Sequence, residues 1–207
     1  MNFQNSCLTS PIKLGSGSFA AFYHCLKELR CPDGTPLLDP GSLKDRRSPD
    51  GLLIPLVYTS LCNCRDVDLL VHLLEALHRE DLVPIVHAYI PKVGMGTPVV
   101  RIVPDVNRFF VVKVFMNEAV RHINLSIVSV IKHDLCVGFG LCDKPYLMQF
   151  IGWTTSPICL SFQLPIPCIQ FVEERIATIA LSNGIEKLSL EINSTTFTYD
   201  VMQHEAV

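Results

Sequence analysis

Hydrophobic and polar positions along this chain repeat in two periods, and the periods mark out its elements. Phe19, Phe22, Tyr23, Leu26 and Leu29 recur at helical spacing, one stripe of an amphipathic helix over 19–30 that Cys31-Pro32-Asp33-Gly34 stops. Val67, Leu70, Val71, Leu74 and Leu77 predict a second helix over 66–78, widened by Leu69 and Leu73, with Asp66 placed to cap it. Ile169, Val172, Ile176 and Ile179 predict a third over 168–182, stopped by Asn183-Gly184.

The other period is two. Ile158, Leu160, Phe162 and Leu164 alternate with Cys159, Ser161 and Gln163, which predicts a half-exposed strand with the last three facing solvent. Leu188, Leu190 and Ile192 alternate with Ser189, Glu191 and Asn193. After a turn near Ser194, Phe197, Tyr199 and Val201 alternate again, a terminal hairpin with one wet face. Apolar runs at 52–61, 82–90, 135–141 and 146–153 read as further strands, with Pro55 and Pro84 placing two of them at edges. Val120, Ile123, Ile127 and Val130 keep a helical period over 117–131, although branched residues suit a strand there too.

One stretch organises the rest. Val99 to Val103 and Phe109 to Met116 flank Pro104-Asp105-Val106-Asn107, the pattern of a hairpin with a type I-like turn. Its second arm carries only Lys113 among apolar residues, so both of its faces want cover and it belongs in the middle of a sheet. The expected architecture is α+β: a mixed or mostly antiparallel sheet centred on the Val99–Phe115 hairpin, with three to four helices packed on it. One globular domain over 1–207 is expected. Its one long loop, 31–51, is proline- and glycine-rich and is read as flexible.

Composition narrows the function classes. Apolar residues make up 49% and charged residues 18% of the 207, against about 25% charged in an ordinary soluble domain, and mean hydropathy is +0.34. Such a chain has either a large core for its size or a surface meant to be covered. A net charge of −3 gives no basic footprint for nucleic acid. No apolar run reaches the roughly 18 residues of a membrane span. Residues 1–10 lack the basic and apolar regions of a secretory signal, so an intracellular, cytoplasmic or nuclear setting is expected, with the nine cysteines reduced.

Candidate chemistry is sparse. Gly15, Ser16, Gly17 and Ser18 precede the first helix, where backbone N–H groups can cradle a phosphate. The string Leu14 to Phe19 resembles the glycine-rich loop of protein kinases over six residues only. Ala20 stands where a third glycine belongs, and no Asp-Phe-Gly follows. Ser48, behind Arg46-Arg47 and before Pro49, suits a regulatory phosphosite. Cys62, Cys64, His72 and His78 lack zinc spacing, and Cys136 and Cys142 lack a second pair, so no metal site is assigned. Glu173-Glu174 reads as a solvated helix face, and His87 and His122 as core histidines. Lys113 is either a stem snorkelling out at a sheet edge or a buried amine. No nucleophile–base arrangement and no cofactor motif is found. The expected function is therefore non-enzymatic: an intracellular interaction or assembly subunit that covers apolar surface with a protein partner or a second copy. Phosphate or nucleotide binding at Gly15–Phe19 is the alternative.

Overall fold

The structure, a computed structural model, describes residues 16–44, 51–53, 56, 61–62, 66–93, 108–117, 120, 122–179 and 184–200. The chain, read above as one domain, divides into two compact units, Met1–Val93 and Gly94–Val207, each described by itself.

The regular elements described in the first unit are helices, joined by turns and an isolated bridge. Helix α1, Ser16–Glu28, buries Phe22 and Leu26 on the expected stripe, which Leu29 continues just past its end. It starts three residues earlier than its apolar period suggests. Of the loop expected over 31–51, residues 31–44 are described and are tied down, while 45–50 lie outside the described residues. Arg30 bridges to Pro36, Leu37 donates its N–H to the Leu29 carbonyl at 3.0 Å, and Cys31, Leu37 and Leu38 are buried. A one-turn helix α2, Pro40–Leu43, is capped by Asp39, whose carboxylate accepts from the Gly41 N–H at 3.1 Å. Leu43 is fully buried, so apolar side chains spaced among the prolines tie this segment down. Gly51–Leu53 and Leu56 are helical with Leu52 and Leu56 buried, where a strand over 52–61 was expected.

Helix α3, Asp68–Ala76, matches its predicted stripe, and Asp66 accepts from the Asp68 N–H at 3.3 Å. The strand expected at 82–90 is instead helix α4, Val83–Val93. Pro84 falls in its first turn, where the missing N–H has no intrahelical partner to lose; the same proline read as an edge-strand marker is a helix-start marker. Val67, Leu74 and Val86 form a core between α3 and α4, with Leu70, Val71, Leu82 and Val83 packed against it.

The second unit is built on a five-stranded antiparallel sheet: β1 Phe109–Met116, β2 Gln149–Thr155, β3 Ile158–Pro165, β4 Ile185–Ile192 and β5 Thr195–Asp200, in the order β2-β3-β1-β4-β5. The α+β expectation holds, and Phe109 to Met116 is the central strand, as its two apolar faces require. It pairs with β3 on one side and β4 on the other. The first arm of the expected hairpin, 99–103, lies outside the described residues.

The register sorts the side chains into two faces. Phe110, Val112 and Val114 align with Leu164, Phe162 and Leu160 of β3, and Val112 and Val114 with Leu190 and Leu188 of β4; all are essentially fully buried. Helix α5, Leu125–Phe139, buries Val128, Ile131, Leu135, Cys136 and Phe139, with Lys132 among them, along one stripe. α5 absorbs the strand expected at 135–141. The helical period read over 117–131 becomes helix only from Leu125 and runs on to Phe139: the Asn124 side chain accepts from the Ile127 N–H at 2.9 Å at its start, and Gly140 ends it in the left-handed conformation at φ 71°.

The helix expected over 168–182 shrinks to α6, Ile169–Glu173, followed by irregular turns through Thr178. The stripe survives the irregularity: Val172, Ile176 and Ile179 stay buried. Ile179 lies over Gly138 of α5, where a Cβ would meet its Cδ1 at 2.1 Å.

The other face of the sheet is mixed, and here the predicted alternation of β3 fails in part. Gln163 and Cys159 are buried rather than solvent-facing, in company with Phe109, Val111 and Gln149.

Candidate functional site

The sequence-predicted site residues are dispersed. Ser16, Gly17 and Ser18 form the first turn of α1 instead of a connector before it, and Gly15 lies outside the described residues. Ser48 and Cys64 also lie outside them. His87 and His122 are exposed, not core residues. His78 is exposed at φ 54°, with Nδ1 4.0 Å from a Glu80 oxygen. Glu173 and Glu174 are solvated as expected, Glu174 accepting from Gln170 at 3.0 Å. Among the described residues no group of three His, Cys, Asp or Glu converges as metal ligands would.

Lys113 stands at mid-sheet, not at an edge. It pairs across with Ser161 of β3 and Ser189 of β4, and its ammonium meets the Glu191 carboxylate at 2.5 Å, with both side chains about a quarter to a third exposed. Lys187 on the same face lies 4.8 Å from the centre of the Phe115 ring. Cys159 lies in this neighbourhood. Burial pushes its thiol up to about 11, against the pull of Lys113 and Lys187, which holds it in the protonated form at neutral pH. This strip offers an ion pair and two hydroxyls on rigid strands, with no acid–base or nucleophile pair among them.

The two edges of the sheet differ more informatively. β2 carries a bulge between Phe150 and Gly152, and Gly152 adopts φ 151°, a conformation that favours glycine. A bulge twists an edge and spoils it as a template for another strand. β5 has no such protection. Its six residues, Thr-Thr-Phe-Thr-Tyr-Asp, stay in unbroken register with β4 and include no lysine, proline or glycine.

Phe197 aligns with Leu190 and Tyr199 with Leu188, so both belong to the apolar face. Yet Phe197 is 46% exposed and Tyr199 only half-buried. The apolar face runs out to the edge and is left uncovered there. The hairpin and its wet face are legible in the sequence, but the place of β5 in the strand order is not: alternation shows which side a residue faces, not whether its strand is interior or terminal.

The turn fixes which backbone groups the edge presents. Asn193 and Ser194 both have positive φ, 47° and 68°, a type I′ two-residue loop closed by the Ile192–Thr195 pair. The pair that closes such a loop is hydrogen-bonded, and pairs alternate from there. Thr195, Phe197 and Tyr199 therefore bond inward to β4, whereas the N–H and C=O groups of Thr196, Thr198 and Asp200 point away from the sheet. This margin can accept another strand and bury aromatic surface beneath it. No protein-family model, no curated protein and no solved structure matches the chain.

Proposed function

We propose that the chain is a non-enzymatic, intracellular association subunit that buries apolar surface against a protein partner or a second copy, with the β5 margin as the contact. One observation carries the reading. Among the described strands β5 is an unblunted edge whose apolar side carries Phe197, exposed, and Tyr199, half-buried. Strand addition takes its affinity from main-chain hydrogen bonds and its specificity from alternate side chains, and β5 offers both. The low charged share, 18%, fits a surface that is covered in use. Among the described residues no helix is long and apolar enough to cross a membrane.

The test is a photo-cross-linking amino acid in place of Phe197, in cells, beside a control at exposed Glu173 of α6. The reading expects protein adducts at 197 well above those at 173. Equal, low adduct yields at the two positions would refute it.

A further inference from the structure

Resting on that reading, we infer that the occupant of the β5 edge is a second copy of this chain, paired antiparallel about a two-fold axis at Thr198 to make one continuous ten-stranded sheet.

The argument is one of register. In an antiparallel pair, opposed residues share a face, so the self-pairings of β5 that set ring against ring oppose Phe197 to Phe197, Phe197 to Tyr199, or Tyr199 to Tyr199 of the second copy, and the last leaves Thr196 facing beyond the end of the strand. Only Thr196, Thr198 and Asp200 have outward backbone groups to exchange. An axis at Phe197 would pair Thr196 with Thr198 and leave Asp200 facing the turn. An axis at Thr198 pairs Thr198 with itself and Thr196 with Asp200 on both sides, so every outward group of the strand is used.

That same register places each exposed Phe197 opposite a half-buried Tyr199 in the closer, non-hydrogen-bonded sites, where aromatic pairs contribute most. One register thus uses every outward backbone group of the strand and sets each Phe197 against a Tyr199.

Charge agrees. Asp200 is the only charged residue of the strand and already lies across from Lys187 of its own β4. In the proposed register it faces Thr196. Its counterpart Asp200 is displaced by four residues, roughly 13 Å along the strand, beyond a physiological Debye length of about 8 Å. An isologous contact of this kind closes on itself, and no strand edge of type β5 is left over to propagate a fibre.

Sedimentation equilibrium of the full chain, from about 1 to a few hundred µM, and cysteine cross-linking test the inference together. The wild type should pass from monomer to dimer. Thr198→Pro removes an outward donor from each copy while sparing the inward bonds to β4; it should weaken the dimer roughly 30-fold with unchanged circular dichroism.

Thr198→Cys should give a disulfide dimer, since opposed hydrogen-bonded residues lie about 5.5 Å apart, within disulfide reach. Thr196→Cys alone should not, because the two sites stand about 13 Å apart along the strand, but Thr196→Cys mixed with Asp200→Cys should. The wild type, with its nine native cysteines, sets the background.

A chain that stays monomeric throughout, or Thr196→Cys cross-linking as readily as Thr198→Cys, would overturn the second copy or its register. The adducts at Phe197 separate the two failures. Adducts only to a different protein overturn the self-pairing and leave the association reading standing; no adducts overturn both.

Discussion

Gly138 gives the sharpest test of how the second unit is packed. It lies near the end of α5, where alanine would ordinarily add about 1 kcal/mol through helix propensity. Here a Cβ would stand 2.1 Å from Ile179 Cδ1 and 2.3 Å from Cγ1, against an ordinary carbon–carbon separation of about 3.5–4.0 Å. Ile179 is branched and 5% exposed, so it has little freedom to rotate away. A contact this short belongs at the upper end of the overpacking range, about 2–3 kcal/mol, which exceeds the propensity gain: Gly138→Ala should destabilise by about 1–2 kcal/mol net.

The relief is residue-specific. Ile179→Val keeps a γ-carbon in the way and should relieve only part of the cost. Ile179→Ala removes both offending atoms and leaves Cβ at 3.5 Å, an ordinary contact. In that background Gly138→Ala should stabilise by about 1 kcal/mol, a coupling of roughly 2–3 kcal/mol between the two sites. Urea unfolding followed by tryptophan fluorescence is the assay. The chain has a single tryptophan, Trp153 in β2, so the signal reports on this unit even where the two units unfold separately. A stabilising Gly138→Ala in the wild-type background, or a cost that persists in the Ile179→Ala background, would refute the packing of the 174–179 segment on α5.

Two further outcomes follow from the sheet. Ser194 sits at φ 68° in the second position of a type I′ turn that prefers glycine. Ser194→Gly should therefore raise stability by about 0.5–1 kcal/mol in the same urea assay, and a loss would contradict the turn. The buried Cys159 thiol, with its pKa raised to about 11, is almost wholly protonated at pH 8, whereas Cys142 is exposed. Iodoacetamide followed by peptide mapping should label Cys142 far ahead of Cys159, and equal labelling would contradict the burial. The linkage has a definite sign. A folded-state pKa raised above the unfolded value of 9.0 favours the native state at neutral pH, and that contribution is lost as pH rises from about 9 toward about 11.

The amino-acid sequence determined the elements whose pattern and burial agree. Phe109 to Met116, apolar on both sides, is the sheet's centre, and the alternations at 158–164 and 188–192 are β3 and β4. The stripes from Phe22 and from Leu70 are α1 and α3. Where a run is apolar without a clear period, local pattern cannot choose. Val83–Val93 and Leu125–Phe139 are both rich in branched residues that disfavour helix slightly, and both are helices; the stripe that Leu125–Phe139 buries outweighs a few tenths of a kcal/mol per residue.

Tertiary structure alone decided three other things. It buried Gln163 and Cys159, which alternation assigned to solvent, because cover on a sheet face depends on what lies above it. It drew residues 31–44 into the first unit through Leu37, Leu38 and Leu43, although their prolines and glycines read as a free loop. It also placed β5 last in the strand order, which leaves Phe197 uncovered. Strand order is a long-range property set by which edges meet after the chain folds back, and residues 195–200 carry no local trace of it.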